Sequence, residues 1–166
     1  MKKIITALLT ALLFIGCSSK SETNEAIESK LVLKQSLESL KINDQHGKAT
    51  PINADTKKVI FAFSKDVGHN CNEFFATKSE SYLTDNKIQF VADVSGAPSL
   101  IRNMFIMPGL KDFKHTVLVI DDEQISANYK PAINNERIIV AYIENKIITN
   151  IKYLNSTEEL EEEIAN

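Results

Sequence analysis

Cys71 is the residue best placed to do chemistry in this chain. It closes the stretch Ser64-Lys65-Asp66-Val67-Gly68-His69-Asn70-Cys71, which follows the apolar run Val59-Ile60-Phe61-Ala62-Phe63. A thiol attacks as its thiolate, and a helix N-terminus or a neighbouring cation lowers its pKa. Lys65 and His69 are the nearby basic side chains. Two readings of Cys71 stand. It is a reactive single thiol at a strand-to-helix junction, or a small buried hydrophobe on the helix face it shares with Phe74, Phe75 and Tyr82. His69 and Cys71 together would offer a metal two soft ligands. His46 and His115 are remote in sequence and there is no Cys/His cluster, so neither a metal nor another cofactor is expected. Asp121-Asp122-Glu123 lacks the ligand spacing of a calcium loop and reads as a solvated turn. Asp93 and Ser95 close an apolar run. They either form a polar pocket with His69 beyond the strand ends or cap the helix that follows. No Ser-His-Asp constellation and no phosphate-binding glycine loop is present.

These residues need elements to position them. Val59–Phe63 is apolar throughout, as a strand covered on both faces should be. Asn70 and Glu73 have the spacing of a capping box, which predicts a helix from Cys71 to a stop at Asp85-Asn86. Ile88–Val94 is a second strand. Leu100, Ile101, Met104 and Phe105 predict a short helix ended near Pro108-Gly109, with Met104, Phe105 and Met107 in the core. Thr116–Ile120 is a third strand, and Ile125–Tyr129 is expected to pair back on it. Ile138–Ile143 and Ile147–Leu154, joined at Glu144-Asn145-Lys146, form a hairpin. Ser156 and Glu159 cap a last helix that buries Leu160 and Ile164, with Glu161–Glu163 at the unfavourable end of its dipole. Upstream, 27–36 predicts a short helix. Leu40-Lys41-Ile42 and Pro51-Ile52 flank the turn Asp44-Gln45-His46-Gly47-Lys48 as a hairpin at the sheet edge.

The first sixteen residues are of another kind. Lys2 and Lys3 precede the apolar stretch Ile4–Ile15, and Gly16-Cys17-Ser18-Ser19 follows. This is a signal-peptide pattern, too short to span a membrane as a helix. Phe14-Ile15-Gly16-Cys17 resembles a bacterial lipobox. That resemblance implies cleavage before Cys17, lipidation of Cys17 with a palmitate-type acyl chain, and a protein anchored in the cell envelope facing the periplasm. Which membrane holds it, inner or outer, stays open. The predicted organisation is a signal peptide at 1–16, a lipidated tether at 17–30 and one domain at 31–166. Removing Lys2 and Lys3 takes the formal charge from −3 to −5. That balance argues against nucleic acid as a partner. With Cys17 lipidated, Cys71 has no partner for an intrachain disulfide.

The order hairpin, strand, helix, strand, helix, strands, hairpin, helix, with a cysteine at the first strand-to-helix junction, resembles the thioredoxin-like superfamily over roughly 37–164. Asp44–Lys48 is similar to the entry hairpin of its peroxiredoxin-type members. The resemblance implies an α/β/α sandwich, three layers deep, around a mixed sheet. It sets the family's Cys-x-x-Cys motif on Gly68-His69-Asn70-Cys71, so the attacking cysteine is replaced by Gly68. The buried acid of thioredoxins falls on Ala62, and the cis-proline position falls on His115 or Arg137. Three functional positions are changed together. The resemblance therefore implies a fold kept without dithiol exchange: a non-catalytic binding or assembly module with an envelope protein as partner. The alternative is a single-cysteine redox protein working through Cys71.

Overall fold

The computed structural model describes residues 28–165. The expected signal peptide, Cys17 and the expected tether as far as Ile27 lie outside the described residues. Strand β1 (Asn43–Asp44), β2 (Lys58–Ala62), β3 (Ile88–Asp93), β4 (Val117–Ile120), β5 (Ile138–Glu144) and β6 (Ile147–Leu154) form one sheet in the order β1-β4-β3-β2-β5-β6. β2, β3 and β4 run parallel, and β1, β5 and β6 are antiparallel to their neighbours. The helices are α1 (Lys65–Ala76), α2 (Tyr82–Asp85), α3 (Ser99–Ile101), α4 (Met107–Lys111), α5 (Glu123–Tyr129) and α6 (Thr157–Ala165), with a π-helical segment, Arg102–Ile106, joining α3 to α4.

Alternation along the strands sorts their side chains into two cores. Ile60, Ala62, Phe90, Ala92, Val117 and Val140 face α1 and α6, and pack with Cys71, Phe75, Leu160 and Ile164. Val59, Phe61, Val91, Leu118 and Ile139 face the other way, against Tyr129 of α5 and the irregular stretch carrying Leu31, Leu37, Leu40 and Ile52. The result is an α/β/α sandwich around a mixed sheet. Among the described residues, every buried apolar residue lies between Leu31 and Ile164.

Several elements differ from expectation. Helix α1 begins at Lys65. Ser64 is extended (φ −121°, ψ 157°), and its hydroxyl accepts from the Val67 amide at 3.4 Å. A serine cap with Asp66 in the first turn starts the helix six residues earlier than Asn70 would. The entry hairpin is present but short: Asn43 bridges Ala49 antiparallel, and the Thr50 and Asp44 amides donate to the carbonyls of Ile42 and Lys48. Asp44 Oδ1 accepts from the amides of His46 and Lys48, and Gly47 takes φ 83°, while β1 pairs with β4 and not with Pro51-Ile52. The described part of 27–36 is not a helix. Its amides bond across the molecule, Lys30 to the Asn128 carbonyl and Lys34 to that of Ile148, so tertiary bonds replace local ones. Ile125–Tyr129 is helical, because Asp122 Oδ1 accepts from the amides of Gln124 and Ile125 and caps α5. The third helix continues through Pro108-Gly109. The π-helical register, in which the Met107 amide reaches back to the Arg102 carbonyl, lets the chain continue into α4 with Pro108 near its start. Met104 and Phe105 are exposed there rather than in the core, and Met107 is only half-buried. At the C-terminal end of α6, Lys58 donates to the Glu163 carbonyl, while Lys78 and Lys152 pair with Glu161 and Glu163. The acids at the wrong end of the dipole are thus met by lysines from elsewhere.

Candidate functional site

The parallel strands β2 and β3 end side by side, with Ala62 opposite Ala92. Beyond those ends lies a cavity of about 620 Å³. The N-terminal half of α1 forms one wall, and the π-helical segment with α4 forms the facing one. Residues from α5 close a third side. His69, Asp93 and Ser95, expected as a pocket, all line it. Asp93 ends β3 half-buried. Its Oδ1 accepts from the Ser95 amide at 2.9 Å and its Oδ2 from the Ser126 hydroxyl at 2.5 Å. Asp93 therefore ties the β3 loop to α5 instead of capping α3, whose N-cap position is Pro98. His69 is exposed at the rim, and Lys65 and Lys130 complete it.

Gly68 lines the same cavity, one turn inside α1. A Cβ built on it would meet nothing within 4 Å. Cys71 is not in the lining. It faces the opposite way, fully buried between α1 and the sheet in the core that holds Ile60, Ala62 and Phe75. Burial pushes its thiol pKa up to about 12, the reverse of what a helix N-terminus would do. His69 and Cys71 are two residues apart on a helix and so point to different sides. The rim imidazole and the sealed thiol cannot hold one ion between them.

A second polar group was not legible in the sequence. His115 is buried, with its ring among Phe75, Phe90 and Phe113. Its Nε2 lies 3.1 Å from Asn72 Oδ1, and Asn72 Nδ2 donates to the Gly68 carbonyl at 2.8 Å. With its amide nitrogen committed to Gly68, Asn72 presents an acceptor to His115, so Nε2 carries the proton. Nδ1 has no partner, the only such buried side-chain nitrogen or oxygen among the described residues. Desolvation holds the His115 pKa down at about 4, so the ring is neutral at pH 7. Asn72 lines the cavity and His115 stands behind it. The pair is 43 residues apart in the chain, and no local pattern announces it.

No family model matches the chain, and no curated protein does. Solved structures do share its shape. A Bacteroides thetaiotaomicron protein described as a disulfide isomerase superposes with a TM-score of 0.54 at 14% identity, covering 81% of this chain and 86% of its own. The Xanthomonas campestris bacterioferritin comigratory protein, in a study of alkyl peroxide reduction, gives 0.50 at 8% identity over 83% and 96%. Peroxiredoxin Q of the same organism gives 0.50 at 9% identity over 78% and 90%.

The chain has the thioredoxin-like fold. Its cavity stands beyond the carboxyl ends of the parallel strands, where α/β sheets take their ligands. Neither residue expected at the cis-proline position enters that cavity. His115 lies before β4, behind Asn72. Arg137 precedes β5, and its Nε and Nη2 both donate to Asn155 Oδ1. Every peptide bond among the described residues is trans. Ala62 is buried in the same core as Cys71, so no carboxylate stands beneath the thiol there.

Proposed function

We propose that this thioredoxin-like domain is a binding module, without dithiol exchange, held at the bacterial envelope by lipid on Cys17. One observation carries the reading. The position that the resemblance gives to the attacking thiol is Gly68, bare in the cavity wall, while the single remaining thiol is sealed in the core. Disulfide exchange needs an accessible thiolate. A thiol with a pKa of about 12 and no exposed surface supplies none at neutral pH. What the cavity retains is a concave, largely apolar site with a few polar groups at its edge, the usual form of a ligand pocket. The membrane enters as a partner through Cys17, and an envelope protein or a small molecule would be the ligand.

The test uses the chain from Ser18, which has one thiol. Catalysed reduction of a model disulfide should not rise above that of a Cys71→Ala variant. Alkylation of Cys71 should proceed at the rate of unfolding, and at full speed only in denaturant. Lipidation is checked separately, by the mass of the membrane-extracted protein against a Cys17→Ser variant.

A second reading rests on the company the fold keeps. The structural neighbours include a protein described as a disulfide isomerase and peroxiredoxins, so a one-cysteine redox role through Cys71 is the alternative. It requires α1 to open before Cys71 reacts. A mixed disulfide trapped at Cys71 in the folded protein would select it.

A further inference from the structure

We propose that the cavity beyond β2 and β3 binds a single-chain amphiphile with an anionic head, of the fatty carboxylate class. The tail lies between α1 and the π-helical segment, and the head meets Lys65 and Lys130. This deepens the binding reading above and rests on it for the location of the ligand.

The argument starts from what the walls can and cannot satisfy. Phe63, Val94, Phe105, Ile106, Leu110 and Phe113 make most of the lining apolar. The polar side chains set among them are already engaged. Asp93 accepts from the Ser95 amide and the Ser126 hydroxyl, Asn72 is held by Gly68 and His115, and the Ser64 hydroxyl caps α1. A peptide entering this space would bring an N–H and a C=O with every residue and find few partners for them, a costly burial. A hydrocarbon chain has no such groups. Only the Ser95 hydroxyl, the His69 imidazole and the two lysine ammoniums lack a hydrogen-bond partner among the polar side chains of the lining. Lys65 and Lys130 form no ion pair among the described residues. The sole carboxylate in the lining, Asp93, has both oxygens bonded inward. Asp93 keeps its charge but has no oxygen left to offer, and two lysines against one carboxylate leave the lining net positive beside an apolar interior, the complement of a fatty acid.

The entrance agrees with this. Phe105 belongs both to the cavity and to an exposed apolar segment with Leu100, Ile101 and Met104. Phe105 thus joins this exposed apolar surface to the site where a hydrocarbon tail would enter.

The experiment titrates the chain from Ser18 with palmitate below its micelle concentration, following displacement of a fluorescent fatty acid. All core residues among the described residues lie within this chain. Saturable binding of one palmitate per chain is expected. Hexadecanol and hexadecyltrimethylammonium should bind at least about tenfold more weakly, the loss expected when a desolvated charge pair is removed. Lys65→Gln with Lys130→Gln should weaken palmitate to the same degree and leave hexadecanol unchanged. Gly68→Leu puts an isobutyl group into the cavity wall where the tail would lie and replaces a glycine in a helix interior. It should melt no lower than the parent and lose binding. Absence of saturation, wild-type affinity in a folded Gly68→Leu variant, equal affinity for the cationic amphiphile, or displacement by an uncharged apolar peptide at equal concentration would each overturn the proposal. Disulfide turnover by a protein that also binds palmitate would end the non-redox reading and leave the amphiphile site standing.

Discussion

His115 and Cys71 show how burial decides what a titratable side chain can do. Both sit in the core between α1 and the sheet or against it, and both are driven to their neutral forms. For Cys71 this keeps the thiol protonated at neutral pH. For His115 it makes stability depend on pH, and the sign follows from linkage. The folded pKa, about 4, lies below the ordinary 6.5, so the unfolded chain binds the proton more readily. Stability is therefore full above pH 6.5 and falls as the pH drops toward 4, by about 3 kcal/mol over the whole window. Roughly 2 kcal/mol of that should be gone at pH 5. Urea unfolding at pH 7 and pH 5 measures it. The difference between the two pH values should shrink by that amount in His115→Leu, although that variant is itself weaker at pH 7 because Asn72 Oδ1 loses its partner. An unchanged difference would mean that His115 is hydrated.

At the scale of elements, α1 carries the site, and two residues compete to start it. Ser64 and Asn70 both have the chemistry of an N-cap, and Gly68 between them reads as a helix breaker. The structure uses Ser64, which makes Gly68 and Asn70 interior positions. Three substitutions separate the alternatives. Ser64→Ala should cost about 0.5–1 kcal/mol, toward the low end of a cap because its contact is long. Gly68→Ala should add about 0.5–1 kcal/mol, since its Cβ meets nothing. Asn70→Ala should be neutral or slightly stabilising, whereas a true cap would lose about 1 kcal/mol. Thermal melts of the three variants decide the matter. The same competition explains what could be read from the sequence. β2, β3, β4 and the β5–β6 hairpin are runs of branched and aromatic residues between turn signals, and such runs announce themselves. Ile125 and Tyr129 are spaced for a helix, yet so short a segment also suits a strand. Only the Asp122 cap resolved it. His69, Asp93 and Ser95 could be placed together because parallel strand ends converge. The facing wall from Phe105 to Phe113 could not, because a π-helical turn rotates Phe105 out of the core, and neither sequence period describes that turn.

For the molecule as a whole, the sheet has two faces and needs two covers. One is built from regular helices, α1 and α6. The other is α5 together with an irregular stretch whose Leu31, Leu37 and Leu40 are all buried against Val59, Phe61 and Ile139. That stretch is pinned at both ends. The Ser29 hydroxyl donates to the Tyr129 carbonyl, Lys34 and Leu37 donate to the carbonyls of Ile148 and Lys146, and Ser36 bridges to Ile147 at the start of the edge strand. It therefore belongs to the folding unit and not to any tether before it. The magnitudes make this testable. Losing one fully buried leucine costs roughly 2–5 kcal/mol, against a total stability of about 5–15 kcal/mol for an ordinary domain. Three such losses, about 6–15 kcal/mol, are as large as the whole stability of the domain. A chain beginning at Glu28 should unfold cooperatively at the temperature of the longer chain. A chain beginning at Lys41 should show no cooperative transition and should bind a dye for exposed apolar surface. Leu37→Ala alone, at the centre of the cover, should lower the urea midpoint without changing the slope, since a single truncation removes stability but not the compactness of the native state. If the chain from Lys41 melts cooperatively near the parent temperature, the second face is closed by something other than these leucines. The boundary of the domain would then move to the entry turn at Asp44–Lys48.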